Sequence, residues 1–107
     1  YDINGNKIWT RLIGAPGNDT SGFRNKMTES RAVGIDSNGN IFITGYTEGG
    51  IDGSSKIGNT DFFIAKYDYN GTKLWLKQKG VASSNIYGNA IISDTLGNIY
   101  ATGYTSG

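Results

Sequence analysis

The sequence nearly repeats itself. Residues 32–47, AVGIDSNGNIFITGYT, return as residues 90–105, AIISDTLGNIYATGYT, at an offset of 58. A second block, YDINGNKIW over residues 1–9, returns as YDYNGTKLW over residues 67–75, at an offset of 66. The offsets differ because the segment after Trp9 is longer than the one after Trp75. Self-similarity at such a period means that one supersecondary unit is built more than once and stacks on its own kind.

Each piece of the unit reads as a strand. Residues 41–47 (IFITGYT), 62–67 (FFIAKY) and 73–77 (KLWLK) are short, β-branched or aromatic, and bounded by Gly, Asn or Asp. The apolar runs at 32–35 and 90–93 suit strands buried on both faces. No window sustains the roughly 3.6-residue apolar spacing of a helix together with start and stop signals. The chain is predicted to be all-β.

The turns set the pairing. Asp-x-x-Gly occurs four times, from Asp2 to Gly5, Asp36 to Gly39, Asp68 to Gly71 and Asp94 to Gly97. Three of these carry Asn-Gly, a strong hairpin signal because both residues tolerate positive φ. The aspartate can accept hydrogen bonds from amides two residues on, which closes the turn. Each motif therefore joins neighbouring antiparallel strands, and the unit becomes a four-stranded meander over 32–36, 40–47, 61–68 and 72–79. The tight turns share one end of it. The connections 48–60, 14–31 and 80–89 cross the opposite end, and at 13, 18 and 10 residues they are long. Long loops on one side of a rigid β scaffold are where binding usually sits.

Composition narrows the chemistry. The 107 residues contain neither histidine nor cysteine, which removes the usual catalytic triads, thiol nucleophiles, disulfides and most zinc sites. The chain is not expected to be an enzyme by itself, and no cofactor or metal is expected. Ten Lys+Arg against nine Asp+Glu leave a charge of +1, so neither nucleic acid nor an anionic membrane is an expected partner. No apolar run approaches the about 20 residues that cross a bilayer, so membrane insertion is not expected.

A four-stranded meander in tandem, punctuated by Gly and aromatics, is the pattern of a β-propeller blade. The runs GNIFITGYT (39–47), DFFIAKYD (61–68) and NGTKLW (70–75), preceded by RAVGIDSNGN (31–40), resemble the bacterial SBBP β-propeller repeat. The departures are the long insert 14–31 and Leu96, which stands where the other turns have Asn. The resemblance implies a propeller of four-stranded antiparallel blades. It also implies a bacterial setting, secreted, periplasmic or at the cell surface. On this reading 1–14 is the outer strand of a preceding blade, 32–79 a complete blade and 90–107 the inner two strands of the next. A closed ring needs about 4–8 blades. Joining the tail to the head would omit the counterparts of residues 50–66, leaving a blade without most of a central strand. The chain is therefore expected to be part of a longer polypeptide whose remaining blades are its partners.

Several motifs have a plain structural reading beside a functional one. DSNGN (36–40) spaces oxygen ligands like a calcium loop but lacks the later glycine and glutamate, so a structural turn is expected. DYNGTKLW (68–75) is similar to the Asp-box of sialidase propellers, with a spacing that does not match. Lys7-x-Trp9-x-Arg11 and Lys73-x-Trp75-x-Lys77 could stack sugars or bind polyanions; the plainer reading is an outermost strand whose charges deter edge pairing. The glycosylation patterns at Asn18 and Asn70 are read as loop and turn chemistry. Tyr46, Glu48 and Tyr104 stand where second strands run out toward the long loops, and they are the candidate ligand-binding residues. For the two tyrosines, packing between blades is the competing reading.

The function expected from this pattern is a non-enzymatic propeller scaffold that binds a protein or glycan through its long-loop face. The alternative is a fragment of a propeller enzyme, a hydrolase or lyase, whose catalytic residues lie mostly in other blades. Glu29, Glu48, Asp52 and Asp61 would be its carboxylates, with no spacing that pairs them. A structural spacer within a larger surface protein is a third reading. Fold alone does not decide among them.

Overall fold

The computed structural model describes residues 1–15 and 26–107. Among the described residues six strands form: β1 (Thr28–Ile35), β2 (Ile41–Thr47), β3 (Asp61–Tyr67), β4 (Lys73–Lys79), β5 (Asn85–Ser93) and β6 (Ile99–Ser106). The first four make one sheet in the order β1-β2-β3-β4, and the last two make a second. Every strand pair is antiparallel. The all-β meander predicted by the repeat is present.

The Asp-x-x-Gly turns are built alike. In the one that joins β1 to β2, the Asp36 amide donates to the Asn40 carbonyl (3.0 Å) and the Gly39 amide to the Asp36 carbonyl (3.1 Å). The Asp36 Oδ1 accepts the amides of Asn38 and Asn40, both at 2.9 Å, and its Oδ2 accepts the Asn40 Nδ2, also at 2.9 Å. The same bonds recur at Asp2 and Asp94, so each of these carboxylates accepts the donors of its own turn. Only the glycines take positive φ, between 80° and 86° across the four turns. The turn is thus a three-residue loop closed by a left-handed glycine, not the two-residue loop that Asn-Gly suggests. This corrects the role given to Asn and explains why Leu96 is accepted: its position keeps negative φ.

Two strands start earlier than the sequence suggests. Pairing runs from Thr28↔Thr47 and from Asn85↔Ser106, so residues 28–31 and 85–89 belong to strands and not to the connections. The complete sheet therefore spans 28–79, against the expected 32–79, and the second hairpin begins at 85 in place of 90. What hides these starts is a β-bulge. Arg31 and Asn89, 58 residues apart, are each an extra residue that shifts the register. At the bulge the strands approach so closely that a Cβ at Gly45 would fall on the Glu29 carbonyl, and one at Gly103 on the Tyr87 carbonyl. Close approach explains the glycine in both Gly-Tyr-Thr triplets.

Residues that face each other across the ladder share a side of the sheet. Gly34, Phe42, Thr44, Tyr46 and Phe62 form the front, which packs on β5. Val33, Ile43, Phe63, Ala65 and Tyr67 form the back. Phe42, Thr44, Phe63 and Ala65 are fully buried, so the core runs through the two central strands. Burying a Phe side chain stabilises by about 1.5–3 kcal/mol. Thr44 joins this core because its hydroxyl donates to the Phe63 carbonyl at 2.9 Å.

The expected outer strand over 1–14 is not formed among the described residues. The segment holds one Asp2–Asn6 turn and then runs across the back of the complete sheet. A strand needs a neighbouring ladder for its amides and carbonyls, and this segment is fixed by its side chains. The Trp9 ring stacks on Tyr67, with centroids 6.3 Å apart. The Trp9 Nε1 donates to the Tyr69 carbonyl at 3.0 Å, and a Cβ at Gly71 would strike the indole. Leu12 and Ile13 line a shared cleft with Ile51 and Leu76. β4 is the outermost strand of its sheet, as the plainer reading of the Lys-x-Trp-x-Lys stripe requires. The Asn18 pattern and most of the insert 14–31 lie outside the described residues.

Candidate functional site

At the end opposite the tight turns, connection 48–60 meets segment 80–84. A buried carboxylate organises it. Asp61 is fully buried, and its oxygens accept the Gly58 amide at 2.6 Å, the Ile57 amide at 2.8 Å and the Gln78 Nε2 at 2.8 Å. Gln78 also holds the connection, accepting the Ile51 amide at 2.9 Å and donating to the Gly49 carbonyl at 3.1 Å. Gly58 and Gly80 leave room for the carboxylate and for the carbonyls of Val81 and Ser84. Segment 59–60 is laced to 84–86, with Asn59 donating to the Ser84 carbonyl (2.8 Å) and Ile86 to the Thr60 carbonyl (3.1 Å). A buried charge surrounded by donors is stable only while those donors stay in place.

Beside this knot, three tyrosines form a row. Tyr46 and Tyr87 meet edge to face at 4.8 Å, and Tyr87 stacks on Tyr104 at 4.7 Å. The early start of β5 is what brings Tyr87 opposite Tyr104 in the ladder, as Glu29 lies opposite Tyr46. Tyr46 is 6% exposed and packed between the sheets, whereas Tyr104 is 50% exposed. Offset and edge-to-face pairs of this kind add about 0.5–1.5 kcal/mol beyond their burial.

The Tyr46 hydroxyl donates to the Glu29 Oε2 at 2.7 Å. That bond holds the Glu29 carboxyl below its usual range, with the Arg31 charge adding to it. Tyr46 is raised by the same bond, and burial raises it further. Arg31, placed outward by the bulge, pairs with Glu29 at 2.7 Å and lies over the Tyr46 ring at 5.2 Å. Glu48 is half-buried; its amide donates to the Met27 carbonyl (2.7 Å), and its Oε2 accepts the Met27 amide (3.2 Å). Glu48 thus carries the β1–β2 pairing one residue further.

The structure brings Tyr46 and Tyr104 together through Tyr87 and sets Glu48 at the same end of the sheet. Of the four carboxylates weighed for catalysis, each has a partner: Glu29 with Tyr46 and Arg31, Glu48 with Met27, Asp52 with Lys73, and Asp61 with its three donors. Tyr87 and Arg31 were not among the candidates. Their signal was present in the repeat, since a seven-residue second strand needs as many partners, and those partners extend upstream through the bulge.

Strand order, turn chemistry and the recurring bulge define an all-β protein built of like antiparallel units. A sequence profile of the family described as SBBP, Beta-propeller repeat, matches residues 8–52 and 74–107, most of the chain. The chain belongs to this beta-propeller repeat family. No curated protein matches it at a significant level.

Proposed function

We propose that this chain is part of a non-enzymatic propeller scaffold that binds a protein or glycan through the end formed by connection 48–60 and the tyrosine row. The observation that carries this reading is the half-exposed Tyr87–Tyr104 stack beside the Glu29–Arg31 pair. A rigid aromatic face next to fixed polar groups suits sugar rings and protein side chains alike, and aromatic residues with Arg are enriched where proteins bind. Tyr104 offers the exposed ring, Tyr46 supports the row from beneath, and Glu48 fixes the edge of the surface. The engagement of all four carboxylates in structural bonds favours binding over hydrolysis or lysis. The remaining propeller repeats are part of the proposed assembly, and the proposed setting, on family resemblance alone, is bacterial and secreted, periplasmic or at the cell surface.

A glycan array and a pull-down with the full protein test the reading. Tyr104→Ala, at an exposed position, is expected to weaken binding while leaving the far-UV circular dichroism unchanged. Replacing residues 53–56 at the tip of the connection with Gly and Ser is expected to do the same. Binding that survives both changes would overturn the assignment of this end.

A further inference from the structure

A cleft of about 230 Å³ opens on the back of the four-stranded sheet, where segment 1–15 crosses it. Ile13, Ile51 and Leu76 give it apolar walls, and Tyr67, Lys73 and Asp52 supply its polar part. Local structure explains why these three meet. Tyr67 and Lys73 face each other in the β3–β4 ladder and so share the back of the sheet. A bulge at Leu74 separates Lys73 from Trp75, which stays on the front beside Phe42. Asp52 arrives on a tight turn of connection 48–60. There it and Gly53 take φ of 54° and 79°, and the Ser54 amide donates to the Ile51 carbonyl at 2.9 Å. The turn buries Ile51 and leaves Asp52 paired with Lys73.

Tyr67 is the unusual group. It is 3% exposed, yet its hydroxyl has no hydrogen-bond partner among the described residues, where every fully buried polar side-chain atom has one. The hydroxyl therefore opens onto the cleft that Tyr67 lines. The charges that act on it are those of Lys73, Asp52 and Arg11, two cations against one anion. Burial holds it above its usual range, so at neutral pH it keeps its proton and can donate. Lys73 is a second donor, because a half-exposed pair such as Lys73–Asp52 opens readily. A buried hydroxyl, an adjacent ammonium and a surplus of positive charge together fit one carboxylate. The apolar walls fit a hydrocarbon body. An apolar cavity of about 150 Å³ holds one benzene, so this cleft has room for a ring with a short acidic arm.

We infer that this cleft binds a small apolar carboxylate, with the Tyr67 hydroxyl and the Lys73 ammonium donating to the carboxylate and Ile13, Ile51 and Leu76 enclosing the hydrocarbon. Mostly apolar walls with a few converging polar groups are how small ligands are held. Asp52 competes with the ligand for Lys73 and so limits the affinity. The site lies on the back of the sheet, whereas Tyr46 and the tyrosine row lie on the front. It is therefore independent of the binding surface proposed above.

Titration of the full chain with phenylacetate, followed by amide NMR, tests the inference. Saturable shifts are expected at Asp52, Tyr67, Lys73 and Leu76, with a Kd of about 1 mM or tighter. Phenylacetamide, which has the same shape without the charge, should bind at least about tenfold more weakly. Tyr67→Phe keeps the ring on Trp9 and removes the donor, and it should weaken binding of the acid about tenfold. Lys73→Gln should weaken it by a similar factor. Asp52→Asn suits the same turn and removes the competitor, so it should tighten binding about threefold, a gain that disturbed packing would not give. The amide spectrum of each variant shows whether it is folded. No saturation by about 10 mM phenylacetate would overturn the inference. Equal binding of acid and amide, variants that bind like the unmodified chain, or shifts confined to Tyr87 and Tyr104 would overturn it as well.

Discussion

The hairpins β1–β2 and β5–β6 carry nearly the same sequence and very different surroundings. Both have the Asp-x-x-Gly turn, the bulge and the Gly-Tyr-Thr triplet, yet Phe42 is fully buried while its counterpart Tyr100 is 56% exposed. β2 is paired on both sides and packed on its front, whereas among the described residues β6 is paired on one side only. The lesson is that the repeat encodes local geometry, and its neighbours decide burial. Changes that act through packing should therefore differ between the two hairpins, and changes that act within a hairpin should match.

The largest effect is expected from packing. Phe42→Ala should cost about 3–5 kcal/mol of stability, while Tyr100→Ala should cost under about 1 kcal/mol, measured by urea denaturation. Equal costs would break the comparison. Next comes the bulge. Gly45→Ala and Gly103→Ala each force a Cβ onto a facing carbonyl within the hairpin, so both should cost about 1–3 kcal/mol by the same measurement. A large difference between them would show that neighbours shape the bulge as well.

The turns give a smaller and pH-dependent effect. The carboxyls of Asp36 and Asp94 are held below their usual range, chiefly by the side-chain amides of Asn40 and Asn98 and then by the turn's backbone amides. A lowered folded-state pKa means that this stability is fully present above the unfolded value of about 3.9 and is lost as pH falls through the folded one. Asn40→Ala and Asn98→Ala should both flatten the loss of stability as pH falls below about 4, seen in thermal melts. The smallest change is expected at the odd turn residue. Leu96→Asn and Asn38→Leu should each stay within about 0.5 kcal/mol, because neither position takes positive φ.

Much of the fold was legible because turn chemistry and strand pattern agree. Asp-x-x-Gly marked every tight connection, and the runs at 41–47, 62–67 and 73–77 marked the strands between. The first turns of β1 and β5 were not legible, since Thr28-Glu-Ser and Asn85-Ile-Tyr-Gly-Asn read as polar connection and the bulge breaks their alternation. The same misreading hid Tyr87, which joins the two tyrosines that the sequence did point to. Segment 1–15 differs for another reason. Its resemblance to 67–75 is real, but a strand forms only where a ladder is offered, and Trp9 finds its place on Tyr67 and Gly71 instead. Asp61 could not be recognised as a structural charge from sequence, because its donors come from Gln78 and from amides that only the folded connection assembles.

Hydrogen exchange read residue by residue is the most direct test of the idea that like hairpins are built alike and protected unlike. The amides of Gly39 and Gly97, inside the turns, should exchange at similar rates. Those of 41–47 should be slower than those of 99–106 by about a hundredfold or more. Equal protection across the two second strands would contradict the account.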